Sequence, residues 1–139
     1  MTKYVIGPEV AMLLAREQAT IDAGHTLLAP TLLRSQLLSE LYQAVRRGEL
    51  TKAESEAQLD YVRGLRLRLL GDRVLQNVAW KIADELAWTD TLTAEYLALT
   101  QLQADAFVTL DQKLADAVRD VVTVAPLGAL YAPPPALTD

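Results

Sequence analysis

"TLTAEYLALTQLQADAFVTLDQKLADAV", Thr91–Val118, switches its period twice. Its first part, through Gln103, reads as a helix, with Asp90 or Thr91 as the expected cap. "AFVTL", Ala106–Leu110, is a short apolar run bounded by polar residues and reads as a buried strand. "DQKLADAV" from Asp111 reads as a helix again, and "VVTVAP", Val121–Pro126, as a last strand. Strands that alternate with helices predict a mostly parallel sheet covered on both faces.

The same alternation extends toward the N-terminus. Lys3–Ile6 reads as a buried strand, with Gly7 as N-cap and Pro8 as first residue of a helix running to about Gln18. Val10, Met12, Leu13, Leu14 and Ala15 supply its apolar face. "DAGH" (Asp22–His25) is expected as a loop and "TLLAP" (Thr26–Pro30) as a second strand, with Pro30 opening the next helix. Leu32, Leu33, Leu37, Leu38, Leu41 and Val45 recur at helical spacing. Gly48 suits a left-handed stop after Arg46 and Arg47. Thr51 with Glu54 three residues on is a capping box, so a further helix starts there and ends at Gly64. In "LRLRLL", Leu65, Leu67 and Leu69 alternate with Arg66 and Arg68, which predicts a strand near a sheet edge. Val74, Leu75, Val78, Ala79, Ile82, Ala83 and Leu86 mark another helix.

The expected order is therefore β-α-β-α-α-β-α-α-β-α-β, an α/β three-layer sandwich with a small, mostly parallel sheet between helices. At 139 residues and about half apolar, the chain suits one domain, here expected over 1–127, with a Pro-rich C-terminal tail over 128–139. It lacks cysteine, which excludes a thiolate zinc site or a Cys nucleophile in this sequence. The N-terminus lacks the apolar core of a signal peptide and no run approaches membrane-spanning length, so a cytoplasmic location without membrane contact is expected. The net charge of −5 argues against general nucleic-acid affinity, yet eight of the thirteen basic residues fall between Arg34 and Arg73. No P-loop, dinucleotide fingerprint, nucleophile elbow or HExxH motif is present. His25, the single histidine, is expected on a surface loop, and Trp80 and Trp88 are expected to pack in the core.

In parallel α/β proteins, reactive groups gather at the carboxyl ends of strands. "YVIGPEV" (Tyr4–Val10) is one such end, yet the junction residue is Gly7, and the first acid, Glu9, follows two residues later.

The order and spacing resemble the PIN domain, in particular its VapC-like toxin branch. "AFVTLD", "TAEYLALTQLQADA" and "LLAPTLLRSQLLSEL" carry the resemblance, which spans Lys3 to Pro126. It implies a PIN-like sheet with helices on both faces and divalent-metal-dependent endoribonuclease activity, often as the toxin of a toxin–antitoxin pair. It also implies a cluster of carboxylates holding Mg²⁺ or Mn²⁺, a homodimer, and a small antitoxin protein as partner. Hard divalent cations prefer such oxygen ligands, and the metal activates water and offsets charge on the phosphate.

Transferred residue by residue, the resemblance puts Gly7, Gln36 and Thr93 at three family acid positions, and only Asp111, in "VTLD", remains acidic. One anion holds Mg²⁺ weakly, so the expected activity is weak or lost, with a binding role in its place and no cofactor as one outcome. The alternative is an active enzyme whose carboxylate site is rearranged around Glu9 and Asp111, with Asp90 and Glu40 as further metal ligands. Glu40 lies one turn after Gln36 on the same helix face. Arg34, Arg46 and Arg47 are the candidate RNA-phosphate contacts. An acid in a first helical turn also offsets the helix dipole, which is the purely structural role open to Glu9.

Overall fold

In the computed structural model, which describes residues 1–132, the chain alternates strand and helix in the expected order. The strands are β1 (Thr2–Ile6), β2 (His25–Pro30), β3 (Arg68–Leu70), β4 (Ala106–Val108) and β5 (Val124–Ala125). The helices are α1 (Pro8–Glu17), α2 (Leu32–Arg46), α3 (Lys52–Gly64), α4 (Arg73–Glu85), α5 (Leu92–Gln103) and α6 (Gln112–Val118). One sheet forms in the order β3-β2-β1-β4-β5, and every pairing is parallel. The sheet is thus wholly parallel where a mostly parallel one was expected.

β1 lies at the centre because it is buried from both sides. Its alternate residues part between two cores, as the two-residue period of a strand dictates. Val5 enters the layer built with α4 and α5, beside Leu28, Leu97 and Phe107. Tyr4 and Ile6 enter the opposite layer with Val10, Leu14 and Leu130. α5 buries Ala94 and the run Tyr96–Thr100. Each fully buried Leu or Ile contributes about 2 kcal/mol against leaving it in water. The chain leaves β1 toward β2 and β3, then returns to lay β4 on the other side. The carboxyl ends of β1 and β4 therefore flank the point where the winding reverses, the usual place for a cleft.

Local signals held where they were chemically complete. Thr51 and Glu54 form the reciprocal capping box at 3.0 and 3.1 Å, and Gly48 sits at φ +77°. The strand expected from Leu65 is shorter. Leu65 closes the last turn of α3, its N–H donating to the Val62 carbonyl, and Arg66 is left-handed at φ 56°. β3 keeps only the three residues that face the end of β2, at the sheet edge. Pro30 ends β2, paired with Leu70, and α2 begins at Leu32. His25 is the first residue of β2, not a loop residue, and its ring stands edge-on to Tyr4 at 5.0 Å. Trp80 is 70% exposed, which corrects its placement in the core, while Trp88 is half-buried against the α4–α5 layer.

The domain also continues past residue 127. A 3-10 turn, Leu127–Leu130, buries Leu130 completely, and Tyr131 bridges Ile21 in antiparallel pairing. Residues 128–132 thus belong to the packed domain because one apolar side chain completes the α1 face. The remaining prolines of the expected tail lie outside the described residues. No helix among the described residues is long and apolar enough to cross a membrane.

Candidate functional site

β1 ends at Ile6, and Gly7 caps α1 with extended backbone, φ −96° and ψ −179°, a conformation open to any residue. The Gly7 carbonyl accepts the Ala11 N–H at 3.1 Å. Gly7 brings no side chain, but the space beside it is occupied. A Cβ placed on Gly7 would lie 3.5 Å from each carboxylate oxygen of Glu9. Glu9 therefore folds back from the first turn of α1 over the position that a residue-7 side chain would take.

α2 presents Gln36 and Glu40 to the same place, and α5 presents Thr93 and Tyr96. Together with Gly7 and Glu9 they line a small pocket of about 190 Å³, floored by Phe107 and Leu114. The Tyr96 hydroxyl donates to Gln36 Oε1 at 2.5 Å, tying α5 to α2 across the pocket. Burial raises the Glu40 carboxyl above its ordinary value, and the charge of Glu9 adds to the rise. Burial likewise holds the Tyr96 hydroxyl well above the usual phenol range, helped by Glu9, Glu95 and Glu40. Neither Glu9 nor Glu40 meets a cationic side chain within ion-pair distance among the described residues. The like charge of Glu9 thus raises the affinity of Glu40 for a proton or a positive ligand.

Asp111 faces a second opening, of about 430 Å³, with Trp88, Asp90, Thr93 and Lys113. Its carboxylate caps α6, Oδ1 accepting the Leu114 N–H at 3.1 Å. Asp90 does similar work for α5, its Oδ1 accepting the Leu92 N–H at 3.0 Å, whereas Thr91 at the N-cap position makes no side-chain bond. The two openings share Thr93 and Leu114 as lining. Glu9 and Asp111 thus line two adjoining openings that share a wall. Among the described residues, no three acidic or histidine side chains gather as a metal-binding group. Glu9 and Glu40 line one opening, and Asp90 and Asp111 line the other. Asp90 and Asp111 each give one carboxylate oxygen to a backbone amide at the start of a helix.

The basic candidates do not converge either. Arg47 is engaged with Glu49, Nε and Nη2 donating at 2.9 and 3.1 Å. Arg34 lines an apolar groove of about 480 Å³ with Leu37, Leu38, Leu59 and Leu67. Arg46 is exposed in the last turn of α2, at the far end from Arg34. Asp105 accepts the Lys3 N–H at 2.8 Å at the opposite edge of the sheet. Two features escaped the sequence: Tyr96 as a bridge to Gln36, and Trp88 with Lys113 beside Asp111. The first needs two helices far apart in sequence, and only the one-turn spacing of Gln36 and Glu40 hinted at it.

No family model and no curated protein matches the chain. Among solved structures, the fold is similar to the crystal structure of PAE2754 from Pyrobaculum aerophilum. The TM-score is 0.70 at 18% identity, over 91% of this chain and 90% of that one. At that identity the likeness concerns the fold.

Proposed function

We propose that this chain is a PIN-type domain of VapC-like kind in which metal-dependent RNA cleavage is weak or lost and the carboxyl-edge cleft serves binding. One observation carries this reading: Asp90 and Asp111 each spend a carboxylate oxygen on a backbone amide at the start of a helix. The neutral Gln36 is engaged with Tyr96. The expected partners are RNA and a small antitoxin-like protein, with a second copy of the chain as the expected oligomeric partner.

The test is RNA cleavage by purified protein with Mn²⁺, alongside RNA binding under the same conditions. Binding without cleavage above that of Asp111→Ala and Glu9→Ala is expected. Robust cleavage abolished by both substitutions would overturn it in favour of the rearranged enzyme. One observation favours that second reading: the Glu9 carboxylate lies in contact distance of the place that a residue-7 Cβ would take. Mg²⁺ or Mn²⁺ would then be held by Glu9 and Glu40 together with Asp111 after its release from the α6 cap.

A further inference from the structure

The opening beside Trp88 differs from its neighbour in size and chemistry. It measures about 430 Å³ against about 190 Å³ for the Glu9–Glu40 pocket, and its two carboxylates and ammonium are exposed. Trp88 forms an anchored wall. It follows Ala87, which is left-handed at φ 55°, and its own N–H donates to the Ala83 carbonyl at 2.9 Å. Its side chain packs partly on the core and partly lines the opening. Asp90 and Asp111 are likewise fixed, since each spends Oδ1 on a backbone amide. Each keeps Oδ2 without a hydrogen-bond partner among the described residues. Lys113 lines the same opening and forms no ion pair among the described residues.

We propose that this opening is a nucleobase subsite that selects bases with amino donors, guanine foremost. This rests on the RNA-binding reading above. An indole wall stacks on any base. Two fixed carboxylate acceptors choose among bases, because guanine offers its ring N–H and amino group on one edge, while uracil offers a single ring N–H. Two carboxylates against one ammonium leave the opening net negative, which disfavours a phosphate at its centre. Lys113, exposed at its rim, takes a phosphate of the same strand.

The chain holds two tryptophans, and Trp80, 70% exposed, lies outside the opening. In a Trp80→Phe background, Trp88 is the single tryptophan. Titrating guanosine and uridine 5′-monophosphates should quench it saturably, guanosine binding at least ~10-fold tighter. Asp90→Asn should remove most of that preference, Trp88→Leu should weaken both ligands, and Lys113→Gln should flatten the salt dependence for a short single-stranded RNA. If Trp88→Leu does not fold, the two exposed-residue variants decide. RNA binding with unchanged Trp88 emission and equal affinity for G- and U-rich strands would overturn the subsite and leave RNA binding intact. Guanosine-selective quenching without RNA binding would uphold the subsite and overturn the RNA reading. Absence of quenching by either nucleotide or by RNA would overturn the subsite.

Discussion

Around Glu9 and Glu40, two neighbouring carboxylates have no cationic side chain within ion-pair distance among the described residues. Around Asp90 and Asp111, just beyond Thr93 and Leu114, each carboxylate instead accepts an N–H at the start of a helix. All four acids line the two adjoining openings. Their chemistry differs. A capping acid is stabilised where it stands, by about 1 kcal/mol. A half-buried acid beside a like charge is destabilised and is therefore receptive to a proton or a cation. An acid at a strand end is informative only once the amides around it have been accounted for.

The strongest way to break this contrast is to rebuild the missing acids. Gly7→Asp, Gln36→Glu and Thr93→Asp together should tighten Mn²⁺ binding at least ~10-fold by calorimetry, since hard cations follow carboxylate count. The backbone at residue 7 accepts the change, and the new Cβ meets Glu9 at ordinary contact distance. Unchanged affinity would show that the cleft geometry, not the lost charge, sets metal binding.

A smaller effect sharpens the other side. Asp111→Ala should lose the α6 cap and about 1 kcal/mol, or about 3–6 °C in Tm, while Asp111→Asn keeps a capping oxygen and most of the stability. Equal losses in the two variants would mean that the charge of Asp111, not its cap, supports the fold.

The smallest effect concerns pH. Glu40 carries a raised carboxyl pKa, so the folded state binds its proton more tightly than the unfolded state. Its contribution is fully present below the unfolded value near 4.5 and is lost as pH rises through the folded value. Glu40→Gln should therefore reduce the decline in unfolding free energy, read from urea titrations, between about pH 4.5 and pH 7, by no more than about 0.5 kcal/mol. Glu95, raised by burial, keeps a slope of the same sign in that variant. Glu9→Gln should move the Glu40 carboxyl resonance to a lower titration midpoint by NMR. A midpoint that does not move would mean that burial alone raises Glu40.

Much of the scaffold was legible because it depends on local chemistry. The Thr51–Glu54 box, Gly48, Pro8 at the start of α1, and the alternation between strand and helix all act within a few residues. Strand lengths were not legible. Leu65 to Leu70 alternates, but the sheet offers pairing partners only to Arg68–Leu70, and burial of Leu67 against both layers satisfies the apolar pattern without a strand. Trp80 looked like core by its neighbours and is exposed, since a helical pattern tolerates one large apolar residue on its wet face. Leu130 looked like tail and is fully buried, because only the assembled sheet leaves a space at the α1 face that one side chain fills.

For the site, sequence alone determined which acids exist and that Gly7, Gln36 and Thr93 carry no charge. Tertiary structure decided which of the remaining acids are free to act. It laid Glu9 over Gly7, set Glu40 beside it and tied Gln36 to Tyr96. It left Asp90 and Asp111 capping α5 and α6. The physical reason is that a carboxylate's role follows from which donors and charges surround it, and those neighbours come from four helices that meet only when the parallel sheet is wound.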